Sequence, residues 1–158
     1  MKIFCLDPGV TTGWCIFEYS KDTNSYEISE LGHFKTLAEL VNKLKPMKED
    51  WAAVRMLYEG FARGNSAVKE QLLTIEMCGA IRALGVLFFD SEPVKQYPES
   101  RKTYVPLAKF MLKHCGYTPL GDYTHAIDAV AHGLAYMQKE GIDWNRQYWM
   151  QLAYPSVD

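Results

Sequence analysis

The sequence predicts an α/β domain: a mixed sheet of about five strands flanked by helices. Three strand-like segments come first, joined by short polar or glycine-containing turns. Helical and short apolar segments then alternate, giving the order β-β-β-α-β-α-β-α-α. The 158 residues, 48% hydrophobic and 23% charged, can bury a real core and do not have the composition of a disordered chain.

Lys2–Leu6 carries an apolar run and delivers Asp7 to its end, just before Pro8-Gly9. Gly13–Tyr19 follows, so the two segments read as a β-hairpin, with Gly9 and Gly13 expected to supply unusual backbone angles in the turn. A polar turn, Ser20–Ser25, leads to Tyr26–Phe34. Thr36 suits the N-cap of an amphipathic helix to about Lys45, with Leu37, Leu40, Val41 and Leu44 at helical spacing and Pro46 as its stop. Ala52–Tyr58 reads as a fourth strand that places Glu59 at its C-terminal end. After a loop at Gly60–Asn65, Ser66 is expected to cap a long helix to about Leu84, followed by a fully apolar fifth strand, Val86–Phe89. A proline-broken segment precedes a helix at Tyr104–His114, and the loop Gly116–Asp122 precedes a last long helix, Tyr123–Lys139. Residues 1–140 form the expected domain, with the aromatic tail 141–158 packed on it or extending it.

Cys5, Cys15, Cys78 and Cys115 form no CxxC pair and lie in apolar stretches, the pattern of packed, reduced thiols in an intracellular protein. The sequence enters a strand without a signal peptide, and no apolar run approaches membrane-spanning length. A cytoplasmic protein with no membrane contact is expected. A formal net charge of −2 does not mark a nucleic-acid binder. Yet Lys95, Arg101, Lys102, Lys109 and Lys113 face one acid, Glu99, over a short stretch, with Tyr97, Tyr104 and Phe110 interleaved. That stretch is either a solvated helix face or the wall of a phosphate-tracking groove.

Asp7 and Glu59 each end an apolar run and precede a turn, so two adjacent strands bring two acids to one edge of the core. His125 and Asp128, three apart, share a face of a helix whose many alanines allow close packing on a sheet. Asp122 is either that helix's N-cap or a further ligand. His132, a turn beyond Asp128, reads as a packed or surface histidine, and His33 and His114 as structural. Asp7, Glu59, Asp128 and His125 together make a hard, oxygen-rich set that selects Mg²⁺ or Mn²⁺ over zinc. Two such ions ~4 Å apart are the usual clamp for attack on a phosphodiester.

The segments LDPGVTTGW, YEGF and HAIDAVAHGLAY, with ARGNSAVKEQLLTIEMCGAIRALGVLFFDSEPVKQY spanning the interval before the last, resemble the RuvC-like Holliday junction resolvases of the RNase H-like superfamily, in a phage-type version. The resemblance covers about Met1 to Met137. It implies an RNase H-like fold and a homodimeric, magnesium-dependent endonuclease of DNA recombination and repair. Such an enzyme makes paired nicks in four-way DNA junctions, leaving 5′-phosphate and 3′-hydroxyl ends, and works in the host cytoplasm when phage-encoded. Two Mg²⁺ per active site, replaceable by Mn²⁺, are implied. Asp7, Glu59 and Asp128 match the family's metal-binding acids, and His125 matches a position that carries Asp or His. The dimer helix of the family corresponds to residues 66–84, where apolar residues cover more than one face. Phe61 and Arg63 are candidates for the junction-facing loop; Lys95, Arg101, Lys102 and Lys109 are candidates for phosphate contacts.

Rival readings use the same residues differently. Asp7, Gly9 and Thr11 also fit the phosphate loop of sugar kinases and actin-like ATPases, but those enzymes need two lobes and a second phosphate loop, for which this chain is too short. A less selective nuclease would act on forks, three-way junctions or flaps. A branched-DNA binding protein with an inactive site is the non-enzyme reading, and the full acid set argues against it.

Overall fold

The computed structural model describes residues 1–60, 68–117 and 124–155. Its five strands are β1 (Lys2–Asp7), β2 (Thr12–Ser20), β3 (Ser25–Phe34), β4 (Val54–Glu59) and β5 (Val94–Gln96), in the spatial order β3-β2-β1-β4-β5. The first three form an antiparallel meander; β4 runs parallel to β1, and β5 parallel to β4. The helices are α1 (Leu37–Leu44), α2 (Val68–Phe89), α3 (Pro98–Lys102), α4 (Val105–His114), α5 (Thr124–Glu140) and α6 (Arg146–Ala153), and a 3-10 segment, Lys45–Ala53, links α1 to β4. The mixed sheet flanked by helices is the expected class.

Successive strand side chains face opposite sides of a sheet, and here that alternation builds two cores. Ile3, Cys5, Cys15, Phe17 and Leu57 pack with α4, α5 and Trp144. Phe4, Leu6, Trp14, Ile16, Met56 and Tyr58 pack with Leu40 and Leu44 of α1 and Cys78, Ile81 and Phe89 of α2. Each fully buried Leu or Phe contributes about 1.5–3 kcal/mol of apolar transfer. The same parity sends Asp7 and Glu59 to the α5 side. Since Leu6 pairs with Tyr58, these acids end adjacent parallel strands side by side.

Helix α5 lies close to the sheet because small residues let it. A Cβ at Gly133 would meet Phe17 Cε2 at 2.3 Å, and one at Gly13 would meet the His125 carbonyl carbon at 2.0 Å. Gly9 and Gly13 do not adopt the left-handed backbone expected of them; positive φ among glycines of the described residues occurs at Gly116 and Gly141. The start of β2 needs glycine at 13 for space, and the reason lies in α5, over a hundred residues away in sequence, where local reading cannot find it.

The fifth strand is not at Val86–Phe89. Those residues are the last turn of α2, which ends where Asp90 turns left-handed at φ 47°, and the strand is the shorter Val94–Gln96. A short apolar run has no periodicity that separates strand from buried helix, and no residue before Asp90 stops the helix. The fourth strand begins at Val54 rather than Ala52, and the helix expected at Tyr104 starts at Val105, behind the separate turn α3. The expected cap Ser66 lies outside the described residues. Extended to Phe89, α2 reaches 22 residues and holds an 18-residue window of mean hydropathy 1.8, so by length and composition it could cross a membrane, contrary to expectation. Cys115, expected to be packed, is exposed at the end of α4; the other three cysteines are buried, and none of the four forms a disulfide.

The described part of the tail, residues 141–155, packs against the rest. The Tyr26 amide donates to the Asp143 carbonyl at 3.0 Å, Trp144 is fully buried edge-on to Tyr104, and Trp149 stands edge-on to His114.

Gly13→Ala should destabilise the fold by about 1–3 kcal/mol, the usual scale of overpacking. At ~2–4 °C per kcal/mol for a chain of this size, a thermal melt should show a drop of several degrees. An unchanged melting temperature would mean that α5 is not held against the start of β2 as described.

Candidate metal and phosphate site

Three elements bring acids together at the C-terminal edge of the parallel strands: β1 supplies Asp7, β4 supplies Glu59, and α5 supplies Asp128. Positions 125, 128 and 132 recur at intervals of three and four, so α5 turns one face to this edge. His125 Nδ1 lies 2.6 Å from Asp7 Oδ2, and His132 Nε2 lies 2.5 Å from Glu59 Oε2. Arg101, from α3, donates through Nε to the same Glu59 oxygen at 2.7 Å, and its Nη1 forms an ion pair with Asp128 Oδ1 at 3.0 Å.

Asp7 is 5% exposed and His132 fully buried, while Glu59, Asp128 and Arg101 are half-buried and the His125 side chain is 43% exposed. The cluster is therefore a wall with an open side. Hydrogen bonding to Asp7 holds His125 above its ordinary pKa against the opposing pull of burial, with the Asp7 and Asp128 charges adding to it. Burial pushes the Glu59 carboxyl up, but hydrogen bonds from His132 and Arg101 outweigh it and the net shift is downward. Asp128 moves the other way, raised by burial and by the nearby Asp7 despite Arg101. Burial lowers the Arg101 pKa, and the hydrogen bond to Glu59 together with the charges of Glu59, Asp128 and Asp7 more than reverses that.

Ligand atoms of Asp7, Glu59 and His132 lie within 4.8 Å of one another, a span that one cation can bridge. The donors are carboxylate oxygens and imidazole nitrogen with no thiolate, which suits a hard divalent ion. The guanidinium between Glu59 and Asp128 shows that these oxygens already hold a cation. The residues present fit a divalent metal.

Of the candidate residues, the structure brings Asp7, Glu59, His125 and Asp128 into one cluster. It adds His132, read from sequence as packed or surface: it is packed, and it also grips Glu59. The signal was available, since 132 sits four residues after Asp128 on the same helical face. Arg101, expected on a DNA-facing surface, lies inside the cluster. Lys95, Lys102 and Lys109 are exposed, with the Lys95 ammonium 5.4 Å from the centre of the Tyr97 ring. Phe61, Arg63 and Asp122 lie outside the described residues.

No protein-family model matches the sequence, and no curated protein does. Solved structures do match in three dimensions. Thermus thermophilus RuvC in complex with a Holliday junction substrate aligns with a TM-score of 0.58 at 16% identity, over 91% of this chain and 99% of that one. The fowlpox virus Holliday junction resolvase aligns with a TM-score of 0.57 at 14% identity, over 89% and 99%. The fold is the RNase H-like fold of the junction resolvases. Both of those chains are spanned almost entirely.

In metal-chelated buffer, His125 should titrate above the ordinary 6.5, and Asp7→Asn should return it toward that value, read by NMR of the imidazole. A raised histidine pKa contributes stability that is complete below 6.5 and lost as pH rises through the folded-state value. The wild-type melting temperature should accordingly lose a component above pH 6.5 that Asp7→Asn lacks. A His125 resonance that titrates identically in both proteins would refute the pairing.

Proposed function

We propose that this protein is a divalent-metal-dependent endonuclease that resolves four-way DNA junctions by paired phosphodiester hydrolysis. The observation that carries the reading is the convergence of Asp7, Glu59 and Asp128, from three elements, on one half-open edge lined by two imidazoles and a guanidinium. The resolvase fold supports it, since a structure of that fold is described in complex with a Holliday junction substrate.

Asp7, Glu59, Asp128 and His125 are the residues that would hold the metal. Bound Mg²⁺ or Mn²⁺, two per site, supplies Lewis acidity for the attacking water and charge neutralisation for the leaving 3′-oxygen. The protein's own groups do the rest. Buried Asp7 fixes the His125 ring through Nδ1, leaving Nε2 either to ligate the metal or to exchange a proton with substrate or water. His132 orients Glu59 from a fully buried position, so the carboxylate meets the substrate side in one rotamer. The products are 5′-phosphate and 3′-hydroxyl ends. Exposed Lys95, Lys102 and Lys109, with Phe61 and Arg63, are the proposed DNA contacts, giving a local basic surface on a chain of net charge −2.

Asp7→Asn should retain junction affinity in a gel-shift assay and lose cleavage by at least about 10²–10³-fold, the scale of one lost transition-state contact. Mg²⁺-dependent cleavage of synthetic four-way, three-way and linear duplex DNA tests selectivity. Equal cutting of all three would replace junction resolution with general branched-DNA hydrolysis, and wild-type nicking by Asp7→Asn would overturn the site.

A homodimer through α2 belongs to the same proposal. One stripe of α2 packs on the sheet, while Val68, Leu72, Ile75, Val86 and Leu87 remain exposed. So much open apolar surface on one helix suits a second copy, which would set two active sites at a fixed spacing. Leu72→Glu buries a carboxylate in that contact, costing several kcal/mol. By light scattering it should shift the protein from dimer to monomer; an unchanged dimer mass would place the interface elsewhere.

A further inference from the structure

Arg101 is tied to two acids that the proposed chemistry needs for another purpose. Its fork spans Glu59 Oε2 and Asp128 Oδ1, from β4 and α5, so it neutralises both ends of the acid cluster at once. A guanidinium cannot shed its proton, and a divalent cation on those same carboxylates would stand a few ångströms from a fixed positive charge. The two cations compete.

We propose that Arg101 has two alternative partners: the Glu59 and Asp128 carboxylates in the DNA-free protein, and a backbone phosphate of bound DNA when a divalent ion takes the carboxylates. The proposal rests on the nuclease reading and gives that site a coupling device. Arg101 now makes one hydrogen bond to Glu59 and one ion pair to Asp128, and the paired oxygens of a single phosphate can replace both with a two-bond contact to the guanidinium fork. The carrier is suited to the move. Helix α3 has five residues, none of them buried, so the Arg101 side chain can turn outward without exposing a buried neighbour on its own helix. Glu59 keeps its orientation when Arg101 leaves, because fully buried His132 holds the same oxygen independently.

Coupling between two ligands is reciprocal, so DNA and metal should each strengthen the other's binding by one common factor. Without DNA the arginine resists the ion; with DNA the phosphate draws the arginine away. The site then loads metal chiefly when a substrate is present.

The test uses Ca²⁺ as the ion and a fluorescein-labelled four-way junction as the DNA. Arg101→Gln should bind Ca²⁺ at least about tenfold more tightly than wild type by calorimetry without DNA. In wild type, Ca²⁺ should strengthen junction binding in fluorescence anisotropy, and Arg101→Gln should lose most of that strengthening. Arg101→Lys, which keeps the charge but not the fork, should fall between them and serves if the glutamine variant melts abnormally. Unchanged or weaker Ca²⁺ binding in Arg101→Gln overturns the proposal, as does a coupling factor equal to that of wild type. Failure of the wild-type protein to cut junctions in Mg²⁺, with these binding results intact, would instead sink only the nuclease reading.

Discussion

Two carboxylates end adjacent parallel strands under a helix, and the rest of the molecule answers that arrangement. Asp7 is nearly buried and Glu59 half-buried, and like charges so placed repel unless something positive stands with them. The protein supplies His125, His132 and Arg101. Each arrives by a different route: His125 from the first turn of α5, His132 from its middle, and Arg101 from the turn after β5. The sheet register fixes the acids, and α5 must sit low enough for its histidines to reach them. That requirement explains glycine at 13 and at 133, where any side chain would strike His125 or Phe17 and lift the helix away.

The directions of the pKa shifts follow from this geometry. Glu59, gripped by two donors, stays ionised more readily than an ordinary glutamate, while Asp128, pushed up by burial and by nearby Asp7 against the Arg101 charge, holds its proton longer. One acid of the cluster is thus settled and another poised. A cation arriving at the cluster meets carboxylates that differ in how tightly they are already held, and the arginine between them is the part that can give way.

Much of this was legible in the sequence because it is local. An acid at the end of an apolar run and before a turn marks a strand terminus, which found Asp7 and Glu59. A spacing of three on a helix of small residues found His125 and Asp128. The strand-five error has a local cause too: Val86–Phe89 carries no period, and the residue that ends α2 is Asp90, whose left-handed backbone is a property of the folded chain. Arg101 was out of reach for the opposite reason. It meets Glu59 across 42 residues of sequence, and nothing near either one announces the other. Its basic neighbours suggested a DNA-facing surface, which Lys102 and Lys109, exposed on α3 and α4, remain free to form.

Helix α2 shows how composition and context divide the work of interpretation. Its 22 residues are apolar enough for a lipid bilayer, and within the described residues few of them are buried. Yet its buried stripe, Cys78, Ile81 and Phe89, packs into the same core as Phe4, Leu6 and Met56, and Gly85 admits Pro93 against its backbone at the lead-in to β5. A membrane span would have to abandon those contacts and pull apart the crossover between β4 and β5, on whose near end Glu59 stands. In the proposed dimer, a second copy of the same helix would cover the open stripe and leave the other face in place, since it brings an identical surplus of exposed leucine and valine.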